Sequence, residues 1–141
     1  MSFFKYCYYR MYRAYEEKND SPFLRSLIYI SILELFTLAV AYLYAKEILI
    51  RIFNIQEIDI EKPLYIWSIA VFILIANYFF YSRVSVAEME QKFGKRDKLN
   101  QSIRLWMLIV FPFIIFFGGI VMYVLLFGGV LFGKQIEGFL Q

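Results

Sequence analysis

Three long apolar runs constrain this chain more than any other feature of its sequence. They cover residues 27–45, 64–82 and 105–132, and each approaches or exceeds the about 20 residues that a helix needs to cross a bilayer. One small core could not bury all three, because 61% of the 141 residues are hydrophobic and only 19% are charged. The sequence therefore predicts an all-α integral membrane protein with three transmembrane helices.

The runs and the polar segments between them divide the chain into seven parts. In chain order we expect an interfacial helix over 1–22, a first span with an amphipathic extension over 23–53, a short external loop over 54–63, a second span over 64–82, a basic cytoplasmic loop or helix over 83–104, a long third span over 105–133 and an external tail over 134–141. Within 83–104, the spacing of Val86, Met89 and Phe93 predicts a helix before Gly94. Pro22 and Pro63 suit first helical turns, where a missing N–H donor costs nothing.

The third span is longer than the hydrocarbon core of a bilayer, so it must tilt, protrude or break. Gly118-Gly119 and Gly128-Gly129 are the candidate break points. Two half-length helices folded from this run would give a fourth span, which is the alternative to one long helix.

The first segment of the chain alternates aromatic and basic residues. A helical projection places four aromatic residues and Met11 on one face: Phe4, Tyr8, Met11, Tyr12 and Tyr15. The bases interrupt any apolar signal-peptide core, and the pattern is typical of an amphipathic helix at a membrane surface. Packing of these aromatics on the protein's own spans is the alternative. Cys7 lies in this helix, and we expect a buried thiol there rather than a palmitoylated one.

The distribution of basic residues predicts the orientation in the membrane. Lys and Arg number five before the first span, three in the first loop, six in the second loop and one in the tail. The positive-inside rule then places the N-terminus and the second loop in the cytoplasm of a cell (inner) membrane, and the C-terminus outside.

Polar residues inside the spans form the candidate site. Glu34 lies about seven residues, or about 10 Å, from the cytoplasmic end of the first span at about 1.5 Å per residue. Asn77 and Pro112 lie about five and seven residues from the same side in the other two spans, and Pro112 deprives the Leu108 carbonyl of its helical donor. Three groups at nearly one depth indicate one site.

A stripe of polar and small residues on the first span extends this site, with Ser31 and Thr37 on either side of Glu34. Three interpretations of Glu34 stay open. It holds helices together through hydrogen bonds to Asn77 or a tyrosine, it lines an ion path, or its segment inserts less deeply and lets the carboxylate reach the headgroups.

Glycines of the third run predict a helix-packing groove. Gly118 shares a face with Gly129 and Gly133, and the last two have the small-xxx-small spacing that permits close helix approach. The alternative is that these glycines loosen or end the helix.

The second loop carries a basic cluster that suits anionic lipid headgroups, or an anionic ligand or protein from the cytoplasm. Its members are Arg83, Lys92, Lys95, Arg96, Lys98 and Arg104. Interspersed acids and the small net charge of +3 argue against double-stranded nucleic acid.

The composition excludes several kinds of chemistry. The chain has no histidine and a single cysteine, so it has no thiol pair and no His-based metal site or acid-base pair. No nucleophile with an adjacent base is evident, and we expect neither an enzyme nor a bound cofactor.

Three spans enclose little space alone, so function through a homo-oligomer is expected. In the first hypothesis identical subunits close a ring and Glu34 lines an ion-conducting or gated pore, controlled by a cytoplasmic partner or ligand. In the alternative, the protein is a non-catalytic accessory or scaffold subunit of a larger membrane complex.

The layout of a Tyr-rich basic leader, Asn19-Asp20-Ser21-Pro22 and three short spans resembles uncharacterised small multi-pass membrane proteins of bacteria, and the resemblance covers most of the chain. Some proteins of this build act as oligomeric membrane effectors in phage defence beside a soluble signal-generating partner. The resemblance implies an effector of that kind but carries over no functional residue.

Overall fold

Five helices and one hairpin make up the part of the chain that the structure describes. This computed structural model describes residues 3–18, 20–53, 63–94, 103–131 and 134–139. The elements are α1 (Phe3–Glu16), α2 (Pro22–Phe53), α3 (Pro63–Ser82), α4 (Val86–Phe93), α5 (Leu105–Phe127), β1 (Gly129–Leu131) and β2 (Lys134–Ile136).

Two helices, α2 and α5, are each long and apolar enough to cross a membrane. The count rises to three if α3 and α4, which meet at a bend of 83°, are taken together as one span. The prediction of a mostly helical protein with membrane-spanning helices is therefore confirmed. The amphipathic extension is also present, because α2 continues as one helix to Phe53.

The helices α2 and α5 run parallel to each other. The Tyr29 hydroxyl near the start of α2 bonds to the Leu108 carbonyl near the start of α5, and Arg51 near the end of α2 lies over the ring of Phe127 at the end of α5. We call the end of the bundle that carries Arg25 and Arg104 the arginine end, and the opposite one the hairpin end. The chain returns to the arginine end between these two helices, through α3.

The N-terminal helix α1 packs inside the bundle, antiparallel to α2. Its last turn lies at the arginine end, where Arg13 pairs with Glu90 of α4. Its first residues reach deeper: the Phe3 ring lies 5.2 Å from that of Phe111 in α5. Between them, Tyr8 stacks on Tyr81 of α3 at 4.1 Å.

The sequence left two interpretations of the aromatic N-terminal helix open, contact with the membrane surface and packing on the protein's own spans. Five residues of α1 are buried, and three of them lie outside the predicted face. The five are Tyr6, Cys7, Tyr8, Tyr9 and Met11. The reason is that α2, α4 and α5 all pack on α1, so more than one side of it is covered. The alternative, aromatics packed on the protein's own helices, is the one observed.

The short helix α4 packs against α1. The spacing of Val86, Met89 and Phe93 predicted a helix here, and that prediction is confirmed. Met89 and Phe93 are buried, and the Phe93 ring lies 5.7 Å from Tyr6 and 5.8 Å from Tyr9.

The third apolar run ends as a helix earlier than predicted. α5 passes through Gly118-Gly119 without a break and ends at Phe127, after which Gly128 has a φ of 86° and Gly129 a φ of 143°. These left-handed values suit glycine and end the helix. An antiparallel hairpin follows, pairing Gly129 with Ile136.

Of the predicted third span over 105–133, the structure is helical up to Phe127, and two short strands follow at Gly129–Leu131 and Lys134–Ile136. One continuous helix, rather than two half-length helices, covers the described part of the run up to Phe127.

Candidate intramembrane polar site

The predicted convergence of Glu34 and Asn77 is present. The Asn77 amide on α3 donates to the Glu34 carboxylate on α2 at 2.7 Å, and the same nitrogen lies 3.2 Å from the Ser31 hydroxyl. Asn77 is 7% exposed and Ser31 is 8% exposed, whereas Glu34 is only partly buried. The carboxylate is thus held on one side and accessible on another.

Pro112, the third group predicted for the site, does not line the cleft of Glu34 and Asn77 and instead shapes a separate contact between α2 and α5. Pro112 is fully buried within α5, and because it has no N–H the Leu108 carbonyl lacks its helical partner. The Tyr29 hydroxyl of α2 donates to that carbonyl at 2.7 Å. Sequence reasoning missed Tyr29, although Tyr29 follows Arg25 by the same number of residues as Leu108 follows Arg104.

Thr37 stays outside the network. Its hydroxyl donates at 2.8 Å to the Leu33 carbonyl of its own helix, one turn back. This local bond satisfies the hydroxyl without a second helix. The polar stripe of α2 therefore divides into Ser31 and Glu34, which contact α3, and Thr37, which does not.

A cleft of about 520 Å³ opens beside Glu34. It is lined by Phe4 and Lys5 of α1, Glu34 of α2, and Ala76, Asn77, Phe80 and Tyr81 of α3. The Lys5 ammonium lies 4.8 Å from the centroid of the Phe80 ring, within the range of a cation–π contact. Sequence reasoning missed Lys5, because it considered only the aromatic face of α1 and not its basic residues.

Two of the three glycines predicted to form a packing groove make no close helix contact within the described part of the chain. A side chain at Gly118 would meet nothing within 4 Å, and Gly129 lies in β1 rather than on a helix face. Gly133 lies outside the described residues. Close approach of α2 and α5 instead occurs at Gly119, where an added Cβ would come within 2.6 Å of Val40.

The basic cluster is described only in part. Arg83, Lys92 and Arg104 are exposed near the arginine end, while Lys95, Arg96 and Lys98 lie outside the described residues. Two other arginines line a second pocket of about 440 Å³ near the start of α5. One of them, Arg10, donates to the Ile103 carbonyl at 2.9 Å, and the other, Arg13, pairs with Glu16 and Glu90.

A second polar network ties α2 to α5 near the hairpin end. Glu47 accepts bonds from Tyr123 at 3.0 Å and from Arg51 at 2.8 Å. The Arg51 guanidinium also lies over the Phe127 ring, 5.0 Å from its centroid. The negative, C-terminal end of the α5 dipole stabilises a cation at this position.

Burial at the core of the arginine end makes the lone thiol unreactive. Cys7 is 0% exposed, and burial raises the pKa of its thiol to about 12. Because the thiolate is the reactive species, we expect little modification of Cys7 in the folded protein.

Across the described residues, no three His, Cys, Asp or Glu side chains come together as a metal site. Comparison of the chain with models of protein families, with curated proteins and with solved structures gives no match.

Proposed function

We propose that this protein is a homo-oligomeric membrane protein in which the Glu34 cleft lines a gated path for cations. The observation that carries the proposal is the cleft itself, an accessible space of about 520 Å³ beside a carboxylate inside a membrane-spanning helix. Acidic side chains in spans are costly and are typical of ion paths and polar cavities. A path also requires a hydrated carboxylate, and each water takes up about 30 Å³ in the liquid, so the cleft has room for several.

The shape of the cleft favours an oligomer. Its walls come from α1, α2 and α3, and it opens to the side of the bundle rather than being enclosed. A single copy therefore leaves one wall of the path missing. A neighbouring copy in a cyclic ring would supply that wall.

The position of α1 favours a gated path over a permanently open one. Phe4 and Lys5 lie in the cleft, so the first turns of α1 occupy part of the space next to Glu34. Movement of α1 would widen the cleft. Because the last turn of α1 lies at the arginine end beside α4, a cytoplasmic partner or ligand at that surface could drive this movement.

The arrangement of the helices supports a three-span topology. α2 and α5 are parallel, so the chain between them must cross back, and α3 with 20 residues has about 30 Å of length at about 1.5 Å per residue. In this topology the N-terminus and α4 are cytoplasmic and the hairpin is external, in agreement with the distribution of basic residues.

An accessory or scaffold subunit is the second candidate, and one observation favours it. Glu34, Asn77 and Ser31 bond to one another within a single chain, as polar residues that only hold helices together do. In that case the carboxylate has no role that an amide could not fill.

Cation flux into liposomes separates the two candidates. Wild-type protein is compared with Glu34→Gln, which keeps the size of the side chain and its bond to Asn77 but removes the charge. Glu88→Gln is the matched control, because Glu88 is an exposed carboxylate on α4 away from the cleft. We expect Glu34→Gln to lower K⁺ flux by about tenfold and Glu88→Gln to leave it unchanged.

The oligomeric state in detergent is measured on the same three samples. Equal flux from wild type and Glu34→Gln, both as intact oligomers, would count against Glu34 as part of the path. A monomeric particle without flux would favour the accessory subunit.

A further inference from the structure

Lys5 is an unusual neighbour for the intramembrane carboxylate. It belongs to the first turn of α1 and lines the same cleft as Glu34 and Asn77. Its ammonium lies over the face of Phe80, 4.8 Å from the ring centroid. A cation of the chain itself therefore already occupies the cleft.

The surroundings of this ammonium have the chemistry that binds small organic cations. Aromatic faces attract ammonium groups, most strongly where water is scarce, and Phe4, Phe80 and Tyr81 all line the cleft. The Glu34 carboxylate supplies the opposite charge, and an anion would be repelled by it. The Asn77 amide of α3 binds one carboxylate oxygen of Glu34, and the Glu34 side chain remains partly accessible.

We propose that the cleft is a binding site for primary ammonium cations in which the Lys5 side chain is the resident occupant. Removal of the Lys5 ammonium opens the site to a free cation of the same kind. This proposal deepens the function proposed above. Its consequence for ion flux rests on that function: a tethered ammonium in the cleft of Glu34 would keep other cations out of the path.

The part of the Lys5 side chain that Lys5→Ala removes identifies the cation to use as a probe. Lys5→Ala removes three methylene carbons and the ammonium, which together correspond to n-propylammonium. Loss of the Lys5 side chain adds space to a cleft that already measures about 520 Å³, so that cation fits and can place its charge where the Lys5 ammonium lies. The neutral analogue 1-propanol has nearly the same size and lacks the charge.

The test measures n-propylammonium binding to the purified, full-length protein in detergent by ligand-observed NMR and by the shift in thermal unfolding. We expect Lys5→Ala to bind it at least about tenfold more tightly than wild type. Lys5→Arg, which retains a resident cation, should resemble wild type. Addition of Glu34→Gln to Lys5→Ala should abolish the gain.

The thermal unfolding measurement also tests the proposal if Lys5→Ala is less stable than wild type. A ligand that binds only the folded state raises its stability, so n-propylammonium should restore folded protein to a weakened Lys5→Ala while 1-propanol should not. Equal affinity in Lys5→Ala and wild type would overturn the proposal, and so would equal binding of 1-propanol.

Flux measurements keep the two proposals separate. A gain in n-propylammonium binding that depends on Glu34, in protein that shows no flux, supports the cation site and counts only against the pore. Glu34-dependent flux without any such gain counts only against the resident role of Lys5.

Discussion

The Leu108 carbonyl shows how a single residue shapes contacts between spans. Pro112 removes its helical donor, and the carbonyl then accepts the Tyr29 hydroxyl at 2.7 Å from a different helix. An unpaired carbonyl at membrane depth costs free energy because no water replaces the lost bond. Pro112 thus converts a bond within α5 into a bond between α2 and α5.

Tyr29→Phe tests this interpretation. We expect the free energy of unfolding to fall by about 1 kcal/mol, because the variant leaves the carbonyl without a donor. In a Pro112→Ala background, where the substitution restores the backbone N–H, the same change should cost much less. Unfolding in mixed micelles of a mild detergent and dodecyl sulfate measures both values.

Tyr42→Phe is the matched control, since Tyr42 lies on the same helix and is 40% exposed. It should change the free energy of unfolding little. If Tyr29→Phe costs the same with and without Pro112, the bond is not a substitute for the missing helical one.

Depth along the spans was the part of the site that the sequence could predict. Counting residues from the basic ends placed Glu34 and Asn77 at one level, and they bond to each other. Lys5 and Tyr29 could not be predicted in this way. Their roles depend on how α1 packs and on the rotation of α2 about its axis, and neither a residue count nor a hydrophobic run contains that information.

At the scale of elements, the contact between α2 and α5 depends on one glycine. An added Cβ at Gly119 would lie 2.6 Å from a methyl carbon of Val40, and the Gly119 carbonyl accepts the Tyr44 hydroxyl at 3.2 Å. The neighbouring Gly118 faces open space. Two adjacent glycines of one helix therefore have different environments.

Alanine substitutions at these two positions form a matched pair. Gly119→Ala should lower the free energy of unfolding by about 1–3 kcal/mol, because the methyl group forces α2 and α5 apart. Gly118→Ala should be neutral or stabilising by up to about 1 kcal/mol, since alanine favours a helix. The same micelle unfolding measurement applies.

Val40→Ala provides a further check of the contact. In its presence Gly119→Ala should cost clearly less, because the methyl groups that collide with the new Cβ are gone. Equal destabilisation by Gly118→Ala and Gly119→Ala would contradict the close contact.

The elements themselves were predictable where one physical signal dominates. Apolar length gave α2, α3 and most of α5, and helical spacing gave α4. The helix ends at Gly128-Gly129, one of the two candidate break points, but the hairpin after it was missed because the residues that follow are as apolar as a span. The placement of α1 stayed open at the level of sequence, because an amphipathic pattern does not tell lipid from protein as the partner of its apolar face.

The whole molecule is packed unevenly along the bundle. Most buried residues, from α1, α4 and the starts of α2 and α5, form one cluster at the arginine end. Toward the hairpin end α2 and α5 remain in contact through Glu47, Arg51 and Tyr123, and many α3 residues are exposed. We expect α3 to meet lipid or another copy of the chain there.

Orientation in the membrane decides which side the Glu34 cleft serves, and single cysteines can determine it. Cys7 is 0% exposed, so the natural cysteine need not be removed. Glu88→Cys on α4 and Lys134→Cys on β2 each add a thiol at an exposed position.

In intact cells a membrane-impermeant maleimide should label Lys134→Cys and leave Glu88→Cys unlabelled, because three spans put these positions on opposite sides. In permeabilised cells the maleimide should label both variants, whereas it should label wild type only slightly. Labelling of both variants in intact cells would mean that α5 does not cross the membrane between them, and labelling of Glu88→Cys alone would reverse the orientation of α5 and put Glu34 nearer the outer surface.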